Sequence, residues 1–146
     1  MSAGRICTRS TDTVEPTETV QTAACRMLDR NVGSLVVVNQ HHEPIGILTD
    51  RDLALRVVAT AKDVQTTFVK EIMTPNLQVV SETTPIEDVV RVMRSGPYRR
   101  VPVVDSNGRL AGMVTLDDIL DLLSEEFNSI GRLLRKESPA AMEMSR

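Results

Sequence analysis

Apolar residues at Val20, Ala23, Ala24, Met27 and Leu28 follow the i, i+3, i+4, i+7, i+8 spacing of a helix that buries one face. Thr17 or Thr19 stands before it as an N-cap. Residues 35–38 are a short, β-branched apolar run and predict a buried strand. A turn over 39–44 leads to a second strand over 45–48, which ends at Thr49. Leu53, Ala54, Val57 and Val58 then mark the face of another helix.

The same order returns after a shift of 66 residues, without a gap. Ile86, Val89, Val90 and Met93 predict a helix, with Thr84 as cap and Pro85 at its first position. Strands are predicted over 101–104 and 111–114, joined by an Asn-Gly turn within 105–108. Ile119, Leu120, Leu122 and Leu123 open the last helix. Among the pairs identical between the copies are Ile6/Ile72, Thr8/Thr74, Met27/Met93, Gly46/Gly112, Thr49/Thr115 and Asp52/Asp118. Register held through two helices and several strands marks a duplication, not chance.

The expected fold class is α/β (α+β): two β-α-β-β-α repeats packed sheet to sheet as a pseudo-two-fold pair, since neither half is large enough to bury its sheet alone. The divisions are repeat one over 1–60, a polar linker over 61–71, repeat two over 72–124, and a C-terminal helical extension with a loose tail over 125–146. Phe127, Ile130, Leu133 and Leu134 continue the helical spacing past Gly131, and the tail begins at Ser138 and Pro139.

Composition narrows the chemistry. With no Trp, one Tyr (Tyr98) and two Phe (Phe68 and Phe127), aliphatic side chains and Met must fill the core. A net charge of −3 with no basic, aromatic-rich stretch argues against a nucleic-acid partner. No apolar run reaches the roughly 20 residues of a membrane span, so no membrane role is expected. Residues 1–5 lack the apolar segment of a signal peptide, and Cys7 and Cys25 form no CxxC, so a cytoplasmic protein with reduced thiols is expected. Cys25, at an apolar or boundary position of the first helix, is expected to pack. His41 and His42 are neighbours in a turn with Glu43 as the nearby acid, too few ligands for a metal site. No nucleophile–base constellation points to an enzyme.

The repeat resembles the CBS domain, and the chain resembles a stand-alone tandem CBS pair, or Bateman module. The matching residues are IMTP (72–75), RVPVVD (100–105) and GMVTLDD (112–118) in repeat two, with SLVVV (34–38) and GILTDRD (46–52) in repeat one. The resemblance covers about residues 6 to 124. The resemblance implies a regulatory module that binds an adenosyl nucleotide (AMP, ADP, ATP, NAD(H) or S-adenosylmethionine, with AMP or ATP foremost) between the repeats. It also implies a homodimer and an unidentified regulated protein, with no obligatory cofactor. The alternative is a ligand-silent dimerisation or scaffold module acting through protein contacts.

The residue types fit such a ligand. A helix that starts straight after a strand presents unpaired N–H groups to an anion. Gly46 and Gly112 leave room for close approach. Thr49 and Thr115 supply hydroxyls, and Asp52 and Asp118 supply carboxylates suited to ribose hydroxyls. Arg51 supplies a forked cation for phosphate. Arg99 and Arg100 flank the cleft-side strand of repeat two, a stretch that the resemblance places beside the base and phosphates, with solvated surface charge as the alternative. Arg51 against Asp117 in the twin motif makes the first copy the expected phosphate site. Thr-x-x-Asp is equally the pattern of a capping box, so capping and ligand binding stand side by side.

Overall fold

A computed structural model describes residues 1–75, 78–96 and 98–137. The loose tail expected from Ser138 onward lies outside the described residues. The elements run α1 (Ala3–Ile6), β1 (Thr13–Val14), α2 (Val20–Arg30), β2 (Ser34–Val38), β3 (Pro44–Thr49), α3 (Asp50–Leu53), α4 (Val69–Ile72), β4 (Thr74–Pro75), β5 (Val80–Ser81), α5 (Ile86–Ser95), β6 (Arg100–Val104), β7 (Leu110–Thr115) and α6 (Leu116–Lys136). Within residues 61–71, Val69, Lys70 and Glu71 are already part of α4.

Two small sheets form, ordered β1-β2-β3-β4 and β5-β6-β7. In each, the first strand runs parallel to the second and the second pairs antiparallel with the third. Alternation sorts the side chains. Leu35 and Val37 of β2 face the helices and join the first core with Val20, Ala23 and Met27. Val36 and Val38 face the other way and meet Met113 of β7, with Ile47 and Leu110 packed alongside. The halves therefore do pack sheet to sheet, and the backbone N–H of Leu110 donates to the His42 carbonyl across the junction at 2.9 Å. Val89, Met93, Val101, Val103, Val114 and Ile119 form the second core.

Each half also lends a helix to the other. Ala3 of α1 is fully buried in the second core, and its N–H donates to the Thr84 carbonyl at 2.8 Å. Thr8 exchanges both backbone hydrogen bonds with Met113, at 2.9 and 3.0 Å. Reciprocally, Val69 and Ile72 of α4 are buried in the first core, and β4 pairs with β3. A four-residue helix has too little periodicity to be seen in the sequence, and these segments lie far from their partners along the chain.

Several local details differ from the sequence expectation. Thr19 is the cap of α2, accepting from Thr22 N at 3.2 Å. For α5 the N-cap is Pro85, whereas Thr84 Oγ1 accepts from Ser81 N at 3.0 Å. Cys25 is exposed, not packed. On the same side of α2, Ala24 and Leu28 are open to solvent and line an apolar groove with Val57, Val58 and Val64. After α3 the helix widens into a π turn over Ala54–Val58, where Ala59 N–H donates to the Ala54 carbonyl.

Arg26 fastens α2 to the strand before it. Its guanidinium donates to the Thr13 carbonyl at 3.0 Å and to both Glu18 oxygens at 2.8 and 2.9 Å. That hydrogen bonding lowers the pKa of Glu18, outweighing the opposing effect of burial. A lowered carboxylate pKa stabilises the fold above the unfolded value of about 4.3 and ceases to do so as pH falls through the folded value. Glu18→Gln should therefore flatten the acid limb of stability against pH below about 4.5, measured by urea titrations at a series of pH values. An unchanged acid limb would show that the pair carries no such linkage.

Candidate functional site

Both Thr-x-x-Asp motifs close complete capping boxes. Thr49 Oγ1 accepts from Asp52 N at 3.1 Å, and Asp52 Oδ2 accepts from Thr49 N at 3.0 Å. In the second copy the corresponding distances are 3.2 and 2.9 Å. Capping is thus present in both copies, and each box commits only one carboxylate oxygen. The other oxygens differ. Asp52 Oδ1 lies 3.8 Å from Arg56 Nε. Asp118 Oδ1 has no hydrogen bond or ion pair among the described residues.

Arg56 itself is engaged at the end of α4, donating to the Ile72 carbonyl at 3.0 Å. Arg51 is exposed, lines none of the described cavities, and its N–H donates to the Asp50 carboxylate at 2.8 Å. The Asp50 carboxylate lies over Gly33, 3.1 Å from where a Cβ would stand. The first copy thus places an acid where the second has Leu116 opposite Arg99.

In the second copy, Arg100 pairs with Thr115 across β6 and β7, and Leu116 N–H donates to the Arg99 carbonyl at 2.8 Å. A cavity of about 360 Å³ opens here between the halves. Its walls include Thr8, Ser10, Asp12, Gly33, Ser34, Val36, Arg100, Met113 and Thr115. A hollow of about 250 Å³ adjoins it through Arg100 and Thr115 and includes Arg99 and Asp117. The sequence did not single out the wall from the first half, Thr8 to Asp12 and Gly33 to Val36. Its signal was the repeat itself, because these stretches are the twins of segments around β4 and β6. The largest described hollow, about 600 Å³, lies elsewhere; its one arginine, Arg26, is taken up by Glu18, which leaves Asp12 and Glu15 to disfavour an anion.

Gly46 and Gly112 do not leave room for a ligand. A Cβ on Gly46 would meet Met73 Sδ at 2.8 Å and the Thr74 carbonyl at 2.9 Å. On Gly112 it would meet the Thr8 carbonyl at 2.6 Å and Cys7 Sγ at 2.8 Å. The space is taken by the strand that each half receives from the other. Burial raises the pKa of the Cys7 thiol, with Arg9 opposing, so Cys7 is protonated at neutral pH and is no activated nucleophile.

Two βα repeats face to face, with a cleft at their strand ends, define a tandem module of two related halves. Comparison with known proteins gives the family. The CBS domain profile matches residues 3–59 and again 69–125, so the chain belongs to the CBS domain family and carries a tandem pair. Such pairs are in general regulatory modules, not enzymes.

The chain is 42% identical over 107 residues to the CBS domain-containing protein YhcV of Bacillus subtilis, covering 73% of this chain and 74% of that protein. It is 38% identical over 122 residues to an uncharacterised protein of Methanopyrus kandleri, covering 84% of this chain and 62% of that relative's length. A CBS domain pair solved in complex with 5-methylthioadenosine and S-adenosyl-L-methionine superposes with a TM-score of 0.74 at 28% identity, covering 86% of this chain and 98% of that one. Hypoxic Response Protein I, solved with two coordinated zinc ions, superposes with a TM-score of 0.75 at 30% identity, covering 83% and 98%. Among the described residues here, no group of three or more His, Cys, Asp and Glu is placed to hold a metal ion, and no helix is long and apolar enough to cross a membrane.

Proposed function

We propose that this chain is a regulatory sensor that binds an adenosyl nucleotide in the cleft at Thr115 and works as a homodimer on an unidentified partner protein. The observation that carries the reading is the cavity of about 360 Å³ where Thr115 and Arg100 meet the first half. Its size suits a nucleoside-scale ligand. Asp118 lines neither hollow but keeps one carboxylate oxygen outside its cap, and Arg99 and Arg100 outnumber Asp117 at the adjoining hollow and so favour a phosphorylated ligand such as AMP or ATP. The solved pair holding 5-methylthioadenosine and S-adenosyl-L-methionine supports the adenosyl class. This reading moves the weight from the Thr49/Asp52 copy to the Thr115/Asp118 copy, because Arg51 points to no described cavity while Arg100 lines one.

Thermal melts with AMP, ATP and S-adenosylmethionine test it. A ligand at about a hundred times its dissociation constant stabilises by about 2.7 kcal/mol, or roughly 5–10 °C for a chain of this size. Asp118→Asn keeps an oxygen for the cap but loses the charge. It should weaken binding roughly tenfold or more at nearly unchanged stability, and more than Asp52→Asn does. Flat melts with all three ligands would refute the sensor reading and leave the assembly reading, which the exposed apolar side of α6 supports.

A further inference from the structure

We infer that the exposed seam of α6 is a self-pairing surface, on which a second copy of the chain lays its own α6 antiparallel. The inference rests on the homodimer reading above and names the face and the orientation. Leu120, Leu123, Phe127, Ile130 and Leu134 recur in alternating steps of three and four, the heptad spacing of a helix that packs along its length against another. All five are exposed, Phe127 by 71% and Leu134 by 63%. The CBS profile ends at residue 125, but the seam runs on to Leu134 inside an unbroken helix. Leu120 and Leu123 lie within the repeat, whereas Phe127, Ile130 and Leu134 lie in the extension that continues it.

Two observations select a second copy, and an antiparallel one. The first is charge. Along α6 the carboxylates Asp117, Asp118, Asp121, Glu125 and Glu126 come first, and the cations Arg132, Arg135 and Lys136 follow. Two such helices side by side in parallel set like charge against like. Turned end for end, each acidic half lies along a basic half, within the screening length of about 10 Å, and the helix dipoles also oppose favourably. The helix is therefore complementary to its own reversed image. The second is Gly131. A glycine inside a helix is destabilising by about 1 kcal/mol relative to alanine, and nothing lies within 4 Å of where its Cβ would stand. It sits beside the seam, four residues after Phe127, and forms a notch. With the two-fold axis near Ser129, Phe127 of the second copy falls over that notch.

Sedimentation equilibrium of the full chain over a hundredfold range of concentration reads the association. Phe127→Asp should weaken it roughly tenfold or more. Arg132→Glu with Lys136→Glu should weaken it, and adding Asp121→Lys and Glu125→Lys should restore it at the original net charge. Gly131→Leu should weaken association while raising helicity, a combination that a merely structural glycine does not produce. Spin labels on Asp121 should lie farther apart than labels on Asn128 by on the order of 20 Å; equal short separations would mean parallel helices and overturn the orientation. If the wild-type chain dimerises and these variants leave it unchanged, the α6 seam is not the interface, and the homodimer reading stands on another face. A wild-type chain that is monomeric throughout overturns both and assigns the seam to a different protein.

Discussion

Gly112→Val should lower the melting temperature by roughly 6–12 °C, corresponding to about 3 kcal/mol. The added Cβ would stand 2.6 Å from the Thr8 carbonyl, a backbone atom that accepts from Met113 N–H while Thr8 N–H donates back to the Met113 carbonyl. It cannot be relieved by a rotamer change. Either β7 bends or the N-terminal segment leaves, and leaving takes the fully buried Ala3 and the partly buried Ile6 out of the second core. Gly46→Val should lose less, since Met73 Sδ can move aside and the backbone atom it then meets, the Thr74 carbonyl, stands farther off at 2.9 Å. Thermal melts of both variants check the ranking, with amide exchange at Thr8 and Met113 reporting whether the segment detaches. A Gly112→Val protein that melts within a degree of wild type would show that the lent strand is not held as described.

Leu48→Ala should cost about 2–5 kcal/mol. Leu48 has no solvent exposure, pairs with Leu35 across β2 and β3, and immediately precedes the Thr49 cap. Its loss leaves a cavity under the start of α3. The form of the transition matters as much as its midpoint. Because α4 completes the first core and α1 completes the second, neither half can melt and leave the other whole. One transition, shifted down as a unit, is the expected result in calorimetry. A trace that splits into an early and an unshifted late transition would mean that the halves are independent.

Much of this architecture was legible in the residues. The repeat register located every main strand, and the alternation in SLVVV set Leu35 and Val37 against Val36 and Val38. The Thr-x-x-Asp spacing foretold both capping boxes. What stayed hidden depends on contacts made far along the chain. Ala3 to Ile6 is one turn of helix, and no periodicity in four residues says which core it enters. Gly46 and Gly112 were rightly read as close approaches, but the approaching group is the chain's own strand, which the spacing cannot distinguish from a ligand. The α2 stripe predicted a buried face that included Ala24 and Leu28, yet nothing in the described fold covers them, since a stripe records hydrophobicity and not its partner. Arg51 favoured the first site by its charge alone, whereas Arg100, a candidate from the start on the cleft-side strand of repeat two, is the cation that lines the described cavity.

The lending of α1 and α4 also sets an order of events during synthesis. The first turn of helix leaves the ribosome with nowhere to dock, because its seat is built from β5 and β7, which end about 110 residues later. At about 5–20 residues per second, that wait lasts on the order of 5–20 seconds. Meanwhile the first half has β1, β2 and β3 but neither α4 nor β4, so an open apolar socket awaits a segment that is itself among the next to emerge. When α4 is supplied from the same chain, the socket closes. When two nascent chains stand close together, each can supply the other, and the exchange that ties one molecule together becomes a route to an interlocked pair.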